Sequence, residues 1–384
     1  MSASAARGLV LLSEELVDLV CSFVIICEAQ DAITTLCSLA LTARQFLESA
    51  RRALLHDPSY LLTADRTFEH AHMLLSNIMK RPASGRHVKR LEQLDRLFCT
   101  FAHGSVPALA VVNWVIVLLR YCPDVVGISI WPDLEVGWPA ELERLPLLRD
   151  LVIAPRVGEP DLWQQDLTAY PDFLEALPWA RLSSVWLYDY GGQASGAQSD
   201  APVRVRIPAI NLWLVACHVS SWPAIGLVVD DVRSLSLHKV PQAGLGNDLV
   251  LPRRLEAFSL ATAACSELEG VEGAFPEPHW AVDEWTFLFS RPARFEQLSR
   301  VDISGVQVDS WAFSSLCAAA PNFEFIDMYG SCWCREWGND VDVAITVAIA
   351  PLVHLRFVHL GEVHFGASLR AAHALSEWFT VQLL

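Results

Sequence analysis

The residues with the clearest potential for chemistry are two cysteines and three histidines near the C-terminal end of the sequence. They are Cys332, Cys334, His354, His359 and His364. Thiolate and imidazole groups are preferred zinc ligands. However, a single residue separates the cysteines, no CxxC pair follows, and histidines five residues apart on a strand-and-turn segment need not converge. We therefore expect no metal site.

Other common catalytic signatures are missing from the sequence. Gly244 and Gly246 lack the third glycine of a nucleotide-binding loop and do not join a strand to a clear helix. No Gly-x-Ser-x-Gly elbow occurs, and no pair of carboxylates is distinguished by its surroundings. The sequence predicts no cofactor and no enzyme, and an enzyme with a degenerate site is a third-ranked alternative.

The composition limits the partners that the chain can have. It has 384 residues, of which 53% are hydrophobic and 19% charged, with a net charge of -16. Such a charge opposes binding to nucleic acid and to anionic membrane surfaces. One basic cluster, which we interpret as a solvated linker or helix face, comprises Lys80, Arg81, Arg86, His87, Lys89 and Arg90.

The longest apolar stretch, 108–119, contains a polar residue and is shorter than the roughly 20 residues that cross a bilayer. No targeting segment is visible, since the apolar run 9–12 is too short for a signal-peptide core. Ten cysteines are scattered through apolar segments, as expected for free thiols in a reducing compartment. We expect a cytoplasmic or nuclear location.

The first sixty residues of the chain have the periodicity of amphipathic helices. Apolar residues recur at helical spacing at Leu12, Leu16, Leu19, Val20, Phe23 and Val24. Ser13 can cap this helix. A second helical stretch is predicted from Thr34 to His56, ending before Asp57 and Pro58. These helices are too small to form a large core alone, so they either cap the following domain or meet a partner.

The residues in these helices resemble the F-box family. The run LSEELVDLVCSFV from Leu12 to Val24 is similar to the opening helix of that family, and LCSLALTARQFLESARRALL from Leu36 to Leu55 is similar to its later helices. Ser13 stands where the family usually has proline, and Thr42-Ala43 replace the usual Val-Cys. The resemblance implies docking on the Skp adaptor of a cullin–RING ubiquitin ligase. The residues implied at or beneath that contact are Leu12, Leu16, Val20, Leu36 and Leu39.

From residue 120 onward a short pattern recurs: an apolar residue, two residues of any type, a second apolar residue, one residue of any type and a third apolar residue. The triplets are Val125-Ile128-Ile130, Leu148-Leu151-Ile153, Leu182-Val185-Leu187, Ile207-Ile210-Leu212, Val232-Leu235-Leu237, Leu255-Phe258-Leu260, Leu298-Val301-Ile303, Phe323-Ile326-Met328 and Leu352-Leu355-Phe357. Their middle residues are 23, 34, 25, 25, 23, 43, 25 and 29 positions apart. Five of these steps are 23 to 25 residues long, within the leucine-rich-repeat range of about 20–29 residues. The longest step holds another possible strand, Val282-Trp285-Phe287.

Prolines stand a few residues before most triplets, where a preceding helix must end. Helix, proline and strand in repetition predict an α/β fold in which an F-box-like module is followed by an irregular leucine-rich-repeat solenoid with a curved parallel sheet. An ordinary α/β domain is the alternative. We predict an F-box-like module at 1–60, a helical linker or first cap at 61–107 and the solenoid at 108–384, closed by a helix containing Leu375, Phe379 and Leu383.

Aromatic residues in or just beyond the predicted strands are the candidate target-binding surface, because tyrosine and tryptophan are enriched at binding hot spots. The candidates are Trp131, Trp186, Tyr188, Tyr190, Trp213, His238 and Tyr329. Some of them are expected to fill the core instead. With the resemblance, this pattern implies the substrate-recognition subunit of an SCF-type ligase. The alternative is a repeat scaffold whose N-terminal helices only cap the array.

Overall fold

The computed structural model describes most of the chain as a mixed α/β protein. It describes residues 14–27, 29–42, 44–59, 68–92, 94, 108–130, 137–154, 171–188, 205–207, 209–215, 227–240, 249–262, 281–290, 295–329, 331–333 and 341–360. The chain forms two compact units. Unit 1 comprises Met1–Val152 with Arg156–Trp163, and unit 2 comprises Ile153–Pro155 with Gln164–Leu384. The predicted domain boundaries near residues 60 and 107, and the predicted C-terminal helix, lie outside the described residues.

Within the described ranges there are eleven α-helices. They are α1 (Glu14–Cys27), α2 (Ala29–Thr42), α3 (Arg44–His56), α4 (Phe68–Lys80), α5 (Pro82–Gly85), α6 (Ala108–Tyr121), α7 (Trp138–Glu143), α8 (Pro171–Glu175), α9 (Asp283–Ser290), α10 (Ser310–Ala319) and α11 (Val341–Ile349). None of the described helices is long and apolar enough to cross a membrane.

Ten strands form a parallel sheet in the order β1-β2-β3-β4-β6-β8-β9-β10-β12-β14. These strands are β1 (Arg90–Leu91), β2 (Gly127–Ile130), β3 (Asp150–Ile153), β4 (Ser184–Tyr188), β6 (Asn211–Val215), β8 (Ser234–Val240), β9 (Ala257–Thr262), β10 (Arg300–Ser304), β12 (Phe325–Asp327) and β14 (Phe357–His359). Two short parallel pairs join β5 (Val205–Arg206) to β7 (Leu227–Val228) and β11 (Gln307–Val308) to β13 (Cys332–Trp333).

Seven of the nine predicted triplets place their middle residue, buried, inside a strand of this sheet. These residues are Ile128, Leu151, Val185, Leu235, Phe258, Val301 and Ile326. In the other two triplets the predicted register is wrong. Near residue 210 the buried strand residues are Leu212 and Leu214, while Ile210 is exposed. In the last triplet the buried strand residue is Val358, and Leu355 precedes the strand.

The register between neighbouring strands aligns the same pattern position across the sheet of unit 2. Val185 pairs with Leu212, Leu212 with Leu235, and Leu235 with Phe258. The alignment continues through Val301 and Ile326 to Val358. A repeated apolar residue therefore becomes a continuous buried row.

One backbone arrangement recurs at the start of successive strands. The carbonyl oxygen of Arg233, just before β8, accepts hydrogen bonds from the N–H groups of Glu256 at 2.6 Å and Ala257 at 3.0 Å. The same paired acceptance is made by the carbonyls of Lys89, Val126, Ile210, Glu256, Ser299 and Glu324. We call this series of bonds the carbonyl ladder. It fixes where each strand begins relative to its neighbour.

The segment predicted as a possible strand around Trp285 is instead helix α9. Asp283 and Glu284 lie in its first turn, where carboxylates favour a helix. Trp285 and Phe289, four residues apart, are both buried, and the Phe289 ring packs edge-on against Phe258 of β9 at 5.7 Å. The apolar residues of this segment follow a helical period, which three-residue pattern matching did not separate from a strand.

The helical module of unit 1 consists of α1, α2 and α3, so the predicted stretch from Thr34 to His56 is divided between two helices. Its fully buried core is Val17, Cys21, Leu36 and Ala50. Arg52 of α3 donates through Nη2 to Asp18 of α1, at 2.9 Å from Oδ1 and 3.2 Å from Oδ2. This ion pair ties the first helix to the third.

Candidate functional site

The first candidate surface is the outward face of the parallel sheet in unit 2. Side chains alternate along each strand, so residues between the buried ones point away from the core. Because the strands are in register, these outward residues line up in rows. One of these rows, which we call the central row, consists of Trp186, Trp213, Ser236, Ser259, Asp302, Asp327 and His359.

The central row is aromatic at one end. Trp186 of β4 and Trp213 of β6 are half-buried, and their rings stack with centroids 4.8 Å apart and planes 25° apart. Tyr188 is half-buried at the end of β4, and His238 of β8 is exposed in register with Val215 of β6. Partial burial of its ring, and then the nearby Lys239 ammonium, lowers the pKa of His238. This end offers flat aromatic rings beside an imidazole.

Small residues occupy the middle of the central row. Ser236 of β8 and Ser259 of β9 lie between the tryptophans and the charged residues, and Ala257 and Ala261 flank Ser259 on its strand. Ser236 is buried and Ser259 is half-buried. The middle of the row is therefore formed by small side chains.

The central row is charged at its other end. His359 Nδ1 of β14 lies 3.0 Å from Asp327 Oδ1 of β12, and the same oxygen accepts from the backbone N–H of Tyr329 at 3.0 Å. Burial, followed by repulsion from Asp327, raises the pKa of Asp302, and Arg300 opposes this. The carboxyl of Asp302 is thus held in a site that disfavours its charge.

Aromatic rings also border the charged end. Phe325 and Phe357 stack with centroids 4.4 Å apart and planes 9° apart. The guanidinium carbon of Arg300 lies 4.5 Å from the Phe325 centroid, a cation–π distance. Tyr329, 65% exposed, lies with its ring 5.7 Å from that of His359. This end can accept both an apolar group and a hydrogen-bond donor from a partner.

The His359–Asp327 pair resembles the base and orienting carboxylate of a hydrolase, but the residues that the structure describes place no hydroxyl or thiol in hydrogen-bond contact with His359. Nor do they hold a group of histidine, cysteine, aspartate and glutamate suited to a metal ion. His354 is exposed. Cys334 and His364 lie outside the described residues.

Two buried cysteines of the described segments have thiols that are hard to ionise. Burial raises the pKa of Cys122 to about 12 and that of Cys317 to about 12. Cys21 is also buried, whereas Cys37 is exposed. A thiol with so high a pKa is inert as a nucleophile at neutral pH.

The second candidate surface is a strip of apolar residues on α1, which we call the α1 stripe. Leu16, Leu19 and Val20 are 49%, 64% and 39% exposed. Their spacing of three and four residues places them side by side on the helix. The core of the module is formed by the next face of α1, through Val17 and Cys21. The first helix therefore has one apolar face inside the module and another outside it.

The implied adaptor-binding residues divide between the surface and the interior. Leu16 and Val20 belong to the α1 stripe, Leu36 is fully buried in the module core, and Leu39 is half-buried against it. Leu12 lies outside the described residues, as do Trp131 and Tyr190 among the aromatic candidates. Trp186, Trp213, Tyr188, His238 and Tyr329 lie on or beside the outward sheet face.

Sequence reasoning missed the charged end of the central row. The available signal was the single residue between the second and third apolar residues of each triplet. That position holds Trp186 in one triplet, Asp302 in another and Asp327 in a third. Attention to aromatic residues left Asp302 and Asp327 aside, and His359 was considered only as a metal ligand. Neither the known protein families nor the curated proteins give a match to this sequence.

Proposed function

We propose that this chain is the substrate-recognition subunit of an SCF-type cullin–RING ubiquitin ligase. The α1 stripe holds the Skp adaptor, and the outward sheet face holds a target protein. The chain itself performs no chemistry. It accelerates ubiquitin transfer by raising the effective concentration of the target near the ligase.

The observation that carries the proposal is the second apolar face of α1. Three adjacent large apolar side chains on a short helix are not needed for the module's own core, which Val17 and Cys21 supply. Exposed apolar patches of this kind mark protein interaction sites. The resemblance of residues 12–24 and 36–55 to F-box helices names the partner that such a patch would meet.

The test is co-purification of the full chain with a Skp adaptor. The variant Leu16→Asp with Val20→Asp places two charges in the α1 stripe and is expected to lower adaptor affinity at least a hundredfold. The control is Leu41→Asp on α2, the same change at a residue that is 88% exposed and outside the stripe. It is expected to bind as the wild type does.

The proposal fails if the wild-type chain, with its helices intact by circular dichroism, does not bind the adaptor. It also fails if the double variant binds as well as the wild type. Either outcome favours the second candidate, a repeat scaffold whose N-terminal helices only cap the array. That candidate is supported by the aligned rows of the sheet face, which suit protein binding independently of any ligase.

A further inference from the structure

Unit 1 contains a groove that neither the α1 stripe nor the sheet face explains. It has a volume of about 510 Å³, within the size range of occupied binding sites. It is lined by Ala40, Leu47, Arg51, Leu54, Leu55, Leu74, Asn77, Ile78, Lys80, Arg81 and Ser84. We call it the α3–α4 groove after the helices that supply most of these residues.

Each of these two helices turns one stripe toward the groove. Leu47, Leu54 and Leu55 of α3 recur at intervals of seven and one, which is one face of a helix. Leu74 and Ile78 of α4 are four residues apart and also share a face. Ile78 is fully buried, whereas Leu47 remains 40% exposed. The groove therefore has an apolar floor that the described residues only partly cover.

Every charged residue in the lining is a cation. Arg51 is paired with Glu48 on its own helix at 3.0 Å, but Lys80 and Arg81 form no ion pair with any residue in the described segments. By contrast, Lys89 pairs with Asp124 at 3.2 Å and Arg90 with Asp150 at 2.9 Å. Within the basic cluster seen in the sequence, Lys89 and Arg90 are thus neutralised within the fold, whereas Lys80 and Arg81 lie at the groove.

We propose that the α3–α4 groove binds an amphipathic helix of a partner protein, with leucine-like residues toward the floor and carboxylates toward Lys80 and Arg81. The apolar stripes of α3 and α4 face the same cleft. In a helical bundle, a third amphipathic helix packs into such a cleft. The α3 stripe runs over the nine residues from Leu47 to Leu55, a rise of about 12 Å, which matches two turns of a bound helix. Local cations in a chain of net charge -16 select an acidic partner.

The probe for this site is a fluorescein-labelled 16-residue helical peptide with leucine at i, i+3, i+4 and i+7 and flanking glutamates. Its matched control replaces every glutamate with lysine. Fluorescence anisotropy with the full chain is expected to show at least tenfold tighter binding of the acidic peptide. Binding of this peptide is expected to weaken as salt is raised, because exposed charges are screened.

Two double variants locate the site. Lys80→Glu with Arg81→Glu is expected to reverse the preference, so that the basic peptide binds better. Arg253→Glu with Arg254→Glu makes the same charge change at exposed residues outside the groove and is expected to leave both affinities unchanged. A third variant, Leu47→Asp, is expected to weaken both peptides because it places a charge on the apolar floor.

Equal affinity for the acidic peptide in the wild type and in Lys80→Glu with Arg81→Glu would overturn the proposal. Loss of binding in Leu16→Asp with Val20→Asp, rather than in the groove variants, would assign the peptide to the α1 stripe and overturn it as well. Binding of phosphatidylserine vesicles that depends on Lys80 and Arg81, without peptide binding, would make the groove a membrane contact instead. Circular dichroism of each variant separates these outcomes from unfolding.

Discussion

The core of the helical module and the core of the sheet in unit 2 consist of different kinds of side chains. The module core comprises Val17, Cys21, Leu36 and Ala50, of which two are small. The sheet core is a continuous row of large residues, each buried opposite an equivalent on the next strand. The module therefore has little interior to lose and keeps apolar residues outside, while the sheet divides its residues cleanly between core and surface. Apolar content alone does not distinguish a core from a binding face.

The largest expected effect comes from emptying the sheet core at Phe258. Phe258 is fully buried and packs against Phe289, so Phe258→Ala should lower the free energy of unfolding by about 3–5 kcal/mol. Urea denaturation followed by tryptophan fluorescence measures this. Trp311→Ala on α10, at a mostly exposed site, should stay within about 0.5 kcal/mol of the wild type. A cost below about 1 kcal/mol for Phe258→Ala would contradict a tightly packed row.

A smaller effect is expected in the module. Leu36→Ala should cost about 2–3 kcal/mol, because the small neighbours Cys21 and Ala50 allow part of the cavity to collapse. Hydrogen exchange should accelerate in α1, α2 and α3 while the strands of unit 2 keep their protection. Leu41→Ala, at an exposed position of α2, is the matched control and should change neither. Uniform acceleration in both regions would show that they unfold together and would remove the contrast.

The smallest effect concerns charge on the outward face of the sheet. Burial, then Asp327, raises the pKa of Asp302 above that of the unfolded chain, so the folded state holds this proton more tightly. The free energy of unfolding should therefore fall as pH rises from about 4 through the pKa of Asp302 in the folded state. Asp302→Asn removes this fall and should be more stable than the wild type at neutral pH, with the difference vanishing in acid.

Urea midpoints between about pH 4 and pH 8 test this sign. Asp230→Asn, in an exposed turn of unit 2, should leave the pH profile unchanged. A wild-type chain whose stability does not fall with pH relative to Asp302→Asn would show that Arg300 already compensates the carboxylate.

Much of the sheet could be predicted because a strand pattern repeated in register is self-consistent. The two misplaced strands show the limit. Around residue 210, Ile207-Ile210-Leu212 and Ala209-Leu212-Leu214 are both possible triplets, and the first has the more apolar residues. The carbonyl of Ile210 belongs to the carbonyl ladder, which places Leu212 and Leu214 in the core. A hydrogen bond to another strand decided the register, and no local pattern records it.

The candidate sites were harder to predict than the strands. The first helix is apolar on two adjacent faces, and periodicity does not reveal that Val17 and Cys21 lie inside while Leu16, Leu19 and Val20 lie outside. The α3–α4 groove depends on where helices separated in sequence come to lie, and the stacked tryptophans depend on strand register. These features arise from long-range neighbours.

The carbonyl ladder has a mechanical consequence. Each strand that it positions is held by hydrogen bonds to its immediate neighbour. No hydrogen bond of the carbonyl ladder reaches past that neighbour to a further strand. Under tension applied across the sheet, the strands should separate one after another from an edge, with a rupture peak for each strand. The molecule would then lengthen in steps, one for each strand released, instead of yielding in a single event.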